Sequence, residues 1–193
     1  MEESENGMPS LRLHTNRLEL VACTLQLVKA EIGDRHEFSR LLGAHVPDRW
    51  PPPLNDESSL NWTLNMLTLH PGAVGWSTWY ILLKNGSSGE RTAVGNGGFK
   101  GRPLPDGTVE IGYSVMEAFQ RKGYATEAAR RLVAWAFEHP EVTRVIAETY
   151  PHIATSLRVL EKCGFDYIGG GSEMLTICYE LKRTEYNRLN CTK

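Results

Sequence analysis

The stretch Val109-Glu110-Ile111-Gly112-Tyr113-Ser114-Val115-Met116-Glu117-Ala118-Phe119-Gln120-Arg121-Lys122-Gly123 leads directly into a helical run from Tyr124 to about His139. Val109, Ile111, Tyr113 and Val115 alternate with smaller or polar residues, the period of a strand, before the spacing lengthens to that of a helix. A strand therefore delivers its end to a helix start. The first N–H groups of a helix have no intrahelical partners, and the helix dipole favours negative charge beside them. Gly123 permits close backbone approach, Thr126 adds a hydroxyl, and Arg121 and Lys122 add long-range attraction. Residues Gln120 to Thr126 thus read as a phosphate cradle, or else as a surface turn with two solvated cations.

Upstream, Arg17 to Val21 alternates as a first strand, and Thr24 is placed to cap a helix from Leu25 to about Ile32, which Gly33 breaks. Arg35 to Leu42 forms a short second helix. Val46 to Leu54 carries Pro47, Pro51, Pro52 and Pro53 and must be an extended loop, with Trp50 as its anchor or as a ligand contact. Asn55 or Asp56 caps a further helix with Leu60, Leu64 and Leu67 on one face, ended by Pro71-Gly72. Trp79 to Leu83 and Ala93 to Lys100 flank the turn residues Asn85 to Gly89 as an antiparallel pair. The glycines between Gly95 and Gly101 lack the order of a nucleotide loop and read as a strand with close approach or a bulge.

Downstream, Thr143 to Thr149 reads as a strand parallel to the one that begins at Val109, joined to it through the intervening helix by a right-handed crossover. Ser156 to Lys162 is a short helix capped by Thr155 and stopped at Gly164. Tyr167-Ile168, a turn at Gly169 to Ser172 and Met174 to Leu181 close the chain as a hairpin, whose last strand offers an edge for a homodimer. Met1 to Ser10 and Thr184 to Lys193 show no periodic pattern and are expected to be flexible. The expectation is one α/β domain over residues 1–193, with a mixed, mostly antiparallel sheet.

With 193 residues, 41% hydrophobic and 23% charged, the chain has globular proportions. Lys plus Arg at 21 against Asp plus Glu at 23 gives a net charge of −2, which leaves no basic field for a nucleic acid. A local group of Arg121, Lys122, Arg130 and Arg131 suits a small phosphorylated ligand better. Cys23, Cys163, Cys178 and Cys191 have no metal-site spacing, the six histidines form no spaced cluster, and no metal is implied. The acidic start MEESENG is unlike a signal peptide and no run of ~18 apolar residues is present, so a cytoplasmic setting away from membranes is expected.

The string Gln120-Arg121-Lys122-Gly123-Tyr124-Ala125 resembles the Q/R-x-x-G-x-G/A signature of the GNAT N-acetyltransferases. The longer series VEIGYSV, QRKGYATEA, AWAF, AET and SLRVLEKCGF is similar to the RimJ/RimL-like branch of that superfamily. The resemblance covers roughly Arg17 to Leu181 and is most specific between Val109 and Phe165. It implies a GNAT-type sheet with one splayed parallel pair and helices on both faces, with acetyl-CoA as acyl donor. Its pyrophosphate would lie on Gln120, Arg121, Lys122, Gly123, Tyr124, Ala125 and Thr126, and its pantetheine arm on Ser114, Val115, Met116 and Ser156.

The resemblance further implies that the Val115 N–H faces the thioester oxygen and that Glu110 is either the general base or a salt-bridged strand carboxylate. Ile153 and Leu160 stand where the superfamily often has an asparagine and a tyrosine, leaving Tyr150 and Tyr167 as the phenols considered for an acid. No cysteine is placed for an acetyl-enzyme. The implied reaction is direct attack of a primary amine, from a protein N-terminus or a small molecule, in a ternary complex. The alternative is an inactive acyl-CoA-binding module. Trp50, Trp76 and Trp79 suggest an aromatic acceptor pocket.

Overall fold

In a computed structural model, which describes residues 11–53, 55–86 and 89–191, the strand that begins near Val109 runs from Thr108 to Val115 (β5). It lies inside a sheet of eight described strands: β1 (Arg12–His14), β2 (Leu18–Ala22), β3 (Thr78–Lys84), β4 (Arg91–Phe99), β5, β6 (Arg144–Thr149), β7 (Asp166–Gly170) and β8 (Ile177–Lys182). The spatial order is β1-β2-β3-β4-β5-β6-β8-β7. β5 and β6 are parallel, and every other neighbouring pair is antiparallel. The expected mixed, mostly antiparallel α/β sheet with one parallel pair is the one observed.

Six described helices complete the fold: α1 (Leu25–Gly33), α2 (Arg35–Leu42), α3 (Glu57–Leu69), α4 (Tyr124–Glu138), α5 (Ala154–Cys163) and α6 (Arg183–Cys191). Local chemistry sets their starts. Thr24 accepts from the Leu27 N–H at 3.2 Å, Asp34 from His36 at 2.9 Å and Glu37 at 3.1 Å, and Asp56 from Ser59 at 2.9 Å. Gly33 ends α1 as its last residue, and Asp34 then serves both helices at once.

The two sheet faces bury different helices. Ala128, Leu132, Val133 and Ala136 of α4, with Leu160 of α5, pack on Leu18, Leu20, Trp79, Ile81, Val94, Val109 and Ile111. On the other face Leu27, Val28, Phe38, Leu42 and Leu67 from α1 to α3 pack on Val21, Tyr80, Leu82 and Ala93. β2 is covered on both sides, so all five of its residues are buried. The single carboxylate among them, Glu19, accepts from Arg12 at 2.5 Å and also from Arg91.

Several expectations are corrected. A strand, β1, precedes the one read at Arg17 and pairs with it. Helix α5 starts at Ala154 behind Ile153, with no side-chain cap, so Thr155 lies inside the helix. β8 begins at Ile177 and is hydrogen-bonded on both sides, to β6 and β7, so it offers no free edge to a second copy. Thr184 to Cys191 are not loose: they belong to α6, which docks through Tyr186, whose ring lies 4.8 Å from Phe137, while residues 192–193 lie outside the described ones. Met1 to Ser10 lie outside the described residues.

Trp76 and Trp79 do not line a pocket with Trp50. Both are buried against Trp135 of α4, with ring centroids 4.7 and 5.3 Å away, on the face opposite to Trp50. Trp50 packs on Phe38 and Tyr80 at 6.0 and 6.2 Å, the anchoring role. Trp62 on α3 is exposed, at 43%.

α4 is held at its far end by Arg183, which donates to Phe137 O at 2.7 Å, Val142 O at 2.8 Å and His139 O at 2.5 Å. A cation here meets the negative end of the helix and carbonyls that lack intrahelical donors. Replacing Arg183 with Ala is expected to cost about 2 kcal/mol, read as a Tm lower by roughly 4–8 °C in thermal denaturation, with Arg183→Lys recovering only part of the loss.

Candidate active site

β5 and β6 pair in register only at Thr108↔Arg144, Val109↔Val145 and Glu110↔Ile146. Beyond Glu110 the two strands part, while β5 stays paired with β4 through Val115. Lys100 N–H donates to Glu110 O, and Met116 N–H donates to Val94 O at 2.9 Å, which turns the even-numbered residues of β5 toward β4. The backbone of Ile111, Tyr113 and Val115 therefore faces the gap. Of the three residues read as lining the cofactor's edge, Val115 alone has its N–H in the gap. Met116 spends its own on the sheet, and the Ser114 hydroxyl donates to Pro53 O at 2.5 Å on the α3 side.

A 3-10 turn at Glu117–Phe119 then carries the chain to the start of α4. Gln120 folds back and donates to Val115 O at 2.9 Å, so it braces the turn. Arg121 and Gly123 both lie in the left-handed region, at φ 61° and 83°, which bends the chain into the helix within a few residues. The first intrahelical bond runs from Glu127 N–H to Gly123 O at 3.0 Å, so the N–H groups of Tyr124, Ala125 and Thr126 remain directed outward from the helix start. Lys122 donates to Ala118 O at 3.1 Å with its ammonium 5.4 Å from the Phe119 ring centroid.

A further cation belongs to this cradle. Arg17 donates to Lys122 O at 2.9 Å, stacks 4.7 Å over the Tyr124 ring, pairs with Glu127 at 2.7 Å, and would lie 3.3 Å from a Cβ at Gly123. It was read as a strand residue, and no local pattern links positions so far apart in the chain. Arg130 instead bridges to Lys162 O on α5, and Arg131 pairs with Glu138 at 3.1 Å, so neither is committed to the cradle.

On the other wall of the gap Ser156 sits in the first turn of α5, and the Tyr113 hydroxyl lies 3.3 Å from its O and 3.4 Å from its Oγ. Tyr113 was read only as an apolar strand position. Burial pushes its phenol well above the usual range, so the group stays a neutral donor. Leu160 is buried in the core and Ile153 precedes α5 with an apolar side chain that makes no cap, so neither side chain supplies a polar group to the gap. Tyr167 is on β7, beyond β8, and Tyr150 stacks with His152 at 5.5 Å.

Glu110 stands where the strands part, ion-paired with Lys100 at 2.5 Å. Burial works against the Lys100 ammonium, but Glu110 more than compensates and holds its pKa up. Burial pushes the Cys23 thiol up to about 12 and Cys163 to about 11, which leaves neither as a thiolate nucleophile.

The proline-rich loop crosses the α3 side of this site and is pinned from below. Trp50 Nε1 donates to Glu31 at 2.8 Å and Tyr80 OH to the same carboxylate at 2.6 Å. Burial outweighs these bonds and raises the Glu31 pKa above the usual 4.5. A carboxyl with a raised folded pKa contributes fully below its unfolded value and loses that contribution as pH rises through the folded one. Wild-type stability is therefore expected to fall, relative to Glu31→Gln, as pH climbs above about 4.5 in urea titrations of both proteins. A constant difference across that window would refute the assignment.

A splayed parallel pair, a glycine-led helix start with cations and free N–H groups, and mostly antiparallel strands on either side define an acyl-CoA-type transferase site. The chain belongs to the GNAT acetyltransferase family, whose domain model matches residues 24–166. It is 32% identical over 155 residues to YjdG of Bacillus subtilis, described as an uncharacterised N-acetyltransferase, covering 79% of this chain and 88% of that protein. Among solved structures it is similar to the ribosomal-protein-S5-alanine acetyltransferase of Vibrio fischeri, with a TM-score of 0.59 and 16% identity over 91% of this chain and 98% of the other. The acetyltransferase MccE, solved with acetyl-CoA and AMP, matches with a TM-score of 0.58 at 16% identity over 87% and 93%. Among the described residues no helix is long and apolar enough to cross a membrane.

The cradle generates a direct test. Gly123 has a positive φ and Arg17 beside it, so Gly123→Glu is expected to abolish acetyl-CoA binding by calorimetry through strain and like charge. Arg17→Ala is expected to weaken binding by about tenfold or less, since Arg17 is part exposed and shared with Glu127.

Proposed function

We propose that this chain catalyses N-acetylation of a primary amine, from a protein N-terminus or a small molecule, by direct attack on acetyl-CoA in a ternary complex. The observation that carries the reading is the gap beyond Glu110, where the Val115 N–H is turned toward the position in which a pantetheine arm would complete the ladder. Tyr124, Ala125 and Thr126 would hold the pyrophosphate through their N–H groups, with Arg121, Lys122 and Arg17 supplying charge. Tyr113 and Ser156 would border the arm. Acetyl-CoA, when bound, supplies the activated acyl group.

The chain's own residues then have three tasks. The Val115 N–H stabilises negative charge on the carbonyl oxygen as the amine attacks. Glu110 takes the proton that the amine must lose, directly or through a water, from its place at the root of the gap. The outward-facing backbone of Ile111 and Tyr113 orients the donor's arm. The high thiol pKa values of Cys23 and Cys163 support a single transfer without an acetyl-enzyme. The likeness of the QRKGYATEA and SLRVLEKCGF strings to the RimJ/RimL-like branch supports a protein N-terminus as one acceptor class.

The test is calorimetric titration with acetyl-CoA followed by an amine panel read by thiol release. Wild type is expected to bind the donor and turn over at least one amine, and Glu110→Gln to lose roughly 10²-fold or more in kcat with donor affinity unchanged. Donor binding without turnover in either protein would mark an inactive acyl-CoA-binding module. No donor binding by wild type would sink the reading altogether.

A further inference from the structure

Tyr113 of β5 carries a phenol that the fold holds only loosely. Its side chain packs against the core on the α4 side and reaches the first turn of α5, where the hydroxyl donates to Ser156 O at 3.3 Å and lies 3.4 Å from Ser156 Oγ. Both distances exceed the roughly 2.5–3.0 Å common for O–H···O bonds. Ser156 O does not need this donor, because in a helix running from Ala154 to Cys163 it is the acceptor for the Leu160 N–H. Burial raises the phenol well above its usual pKa and keeps it neutral. A buried donor with only long bonds is available to a better acceptor.

The ring stands where the donor would pass. It begins on β5 and ends on α5, the helix that follows β6, so it spans the parted strands on the side where α4 starts. Val115, whose N–H faces the same gap, is two residues along the strand, and the cradle follows it in the chain. Aminolysis of a thioester forms a C–N bond and breaks the C–S bond; the electron pair leaves on sulfur, and Glu110 takes the amine's proton. A full charge thereby appears against an apolar wall, since Ile111 and Leu160 on that side are buried in the core. Such a charge is costly without a hydrogen bond.

We propose that Tyr113 is a catalytic hydrogen-bond donor to the sulfur of the departing coenzyme A thiolate. This rests on the acetyltransferase reading above and adds a residue that acts on the leaving group. The phenol exchanges its long bond to Ser156 for a charge-assisted one to sulfur as the C–S bond breaks. Its proton stays on oxygen, since a phenol harder to ionise than usual does not surrender its proton to a thiolate. The sulfur departs as a stabilised anion and is protonated in water. A thioester sulfur is a weak acceptor, so the bond strengthens only as charge develops, which is what lowers a barrier.

The test uses the free thiol, coenzyme A, and needs no acceptor. Protein saturated with CoA is titrated with base while the ultraviolet absorbance of the thiolate is followed against the same protein without CoA. The thiol bound to wild type is expected to ionise roughly one pH unit or more below the thiol bound to Tyr113→Phe. The two proteins are expected to bind acetyl-CoA within about twofold of each other and to melt within about 3 °C. With any amine that is turned over, Tyr113→Phe is expected to lower kcat by roughly tenfold or more. Ser156→Ala, which leaves the phenol in place, is expected to keep the wild-type thiol ionisation. Equal thiol ionisation in wild type and Tyr113→Phe, a rise produced by Ser156→Ala, or a Tyr113→Phe protein that melts lower than stated would each overturn the assignment while leaving the acetyltransferase reading in place. Absence of CoA binding by wild type would count against that reading instead.

Discussion

Parallel pairing between β5 and β6 stops at Glu110 and Ile146, and each backbone group beyond that point needs a partner from outside the sheet. Unpaired N–H and C=O groups in a protein interior are costly, so a ladder left open is stable only if its walls cannot close over it. Here they cannot. β5 is tied to β4 through Val115 on one side, and β6 is tied along its whole length to β8 on the other. The gap is thus a property of two rigid half-sheets.

The cradle follows from the same arrangement. α4 begins where β5 ends, and its axis is set by small residues that let it lie against the sheet and by the tryptophan cluster around Trp135. Arg183 satisfies the carbonyls at the far end, so the near end keeps its free donors without the helix fraying from behind. Glu127 in the first turn is a carboxylate at a site suited to anions. Thr15 and Arg17 occupy it with hydrogen bonds of 2.6 and 2.7 Å, which draws a cation to the cradle instead of placing a bare negative charge there.

The opposite face is built on different terms. α1 to α3 cover β2, β3 and part of β4, and the loop carrying Trp50 extends that cover to Ser114. Its hold on the body comes from the Glu31 carboxylate, with two donors, and from Arg35, which donates to Val46 O at 2.9 Å and Asp48 O at 3.3 Å. Beyond that loop the apolar cover ends and the strand floor at Gly112 is exposed.

Strand and helix periods, helix caps at Thr24 and Asp56, and the glycine at the turn into α4 were readable from the chain, since each depends on residues within a few positions of one another. So was the family, whose signature lies in one continuous loop. Arg17 in the cradle, Tyr113 against Ser156, and the Glu110 to Lys100 pair were not, because each joins segments brought together only by strand order. The three tryptophans show the limit of composition: similar residues were separated onto two faces by alternation and by which helix packed on each. Short-range sterics and hydrogen bonding wrote the elements into the sequence. The placement of charges and open backbone emerged from long-range packing, where a one-residue difference in register sends a side chain to the other face.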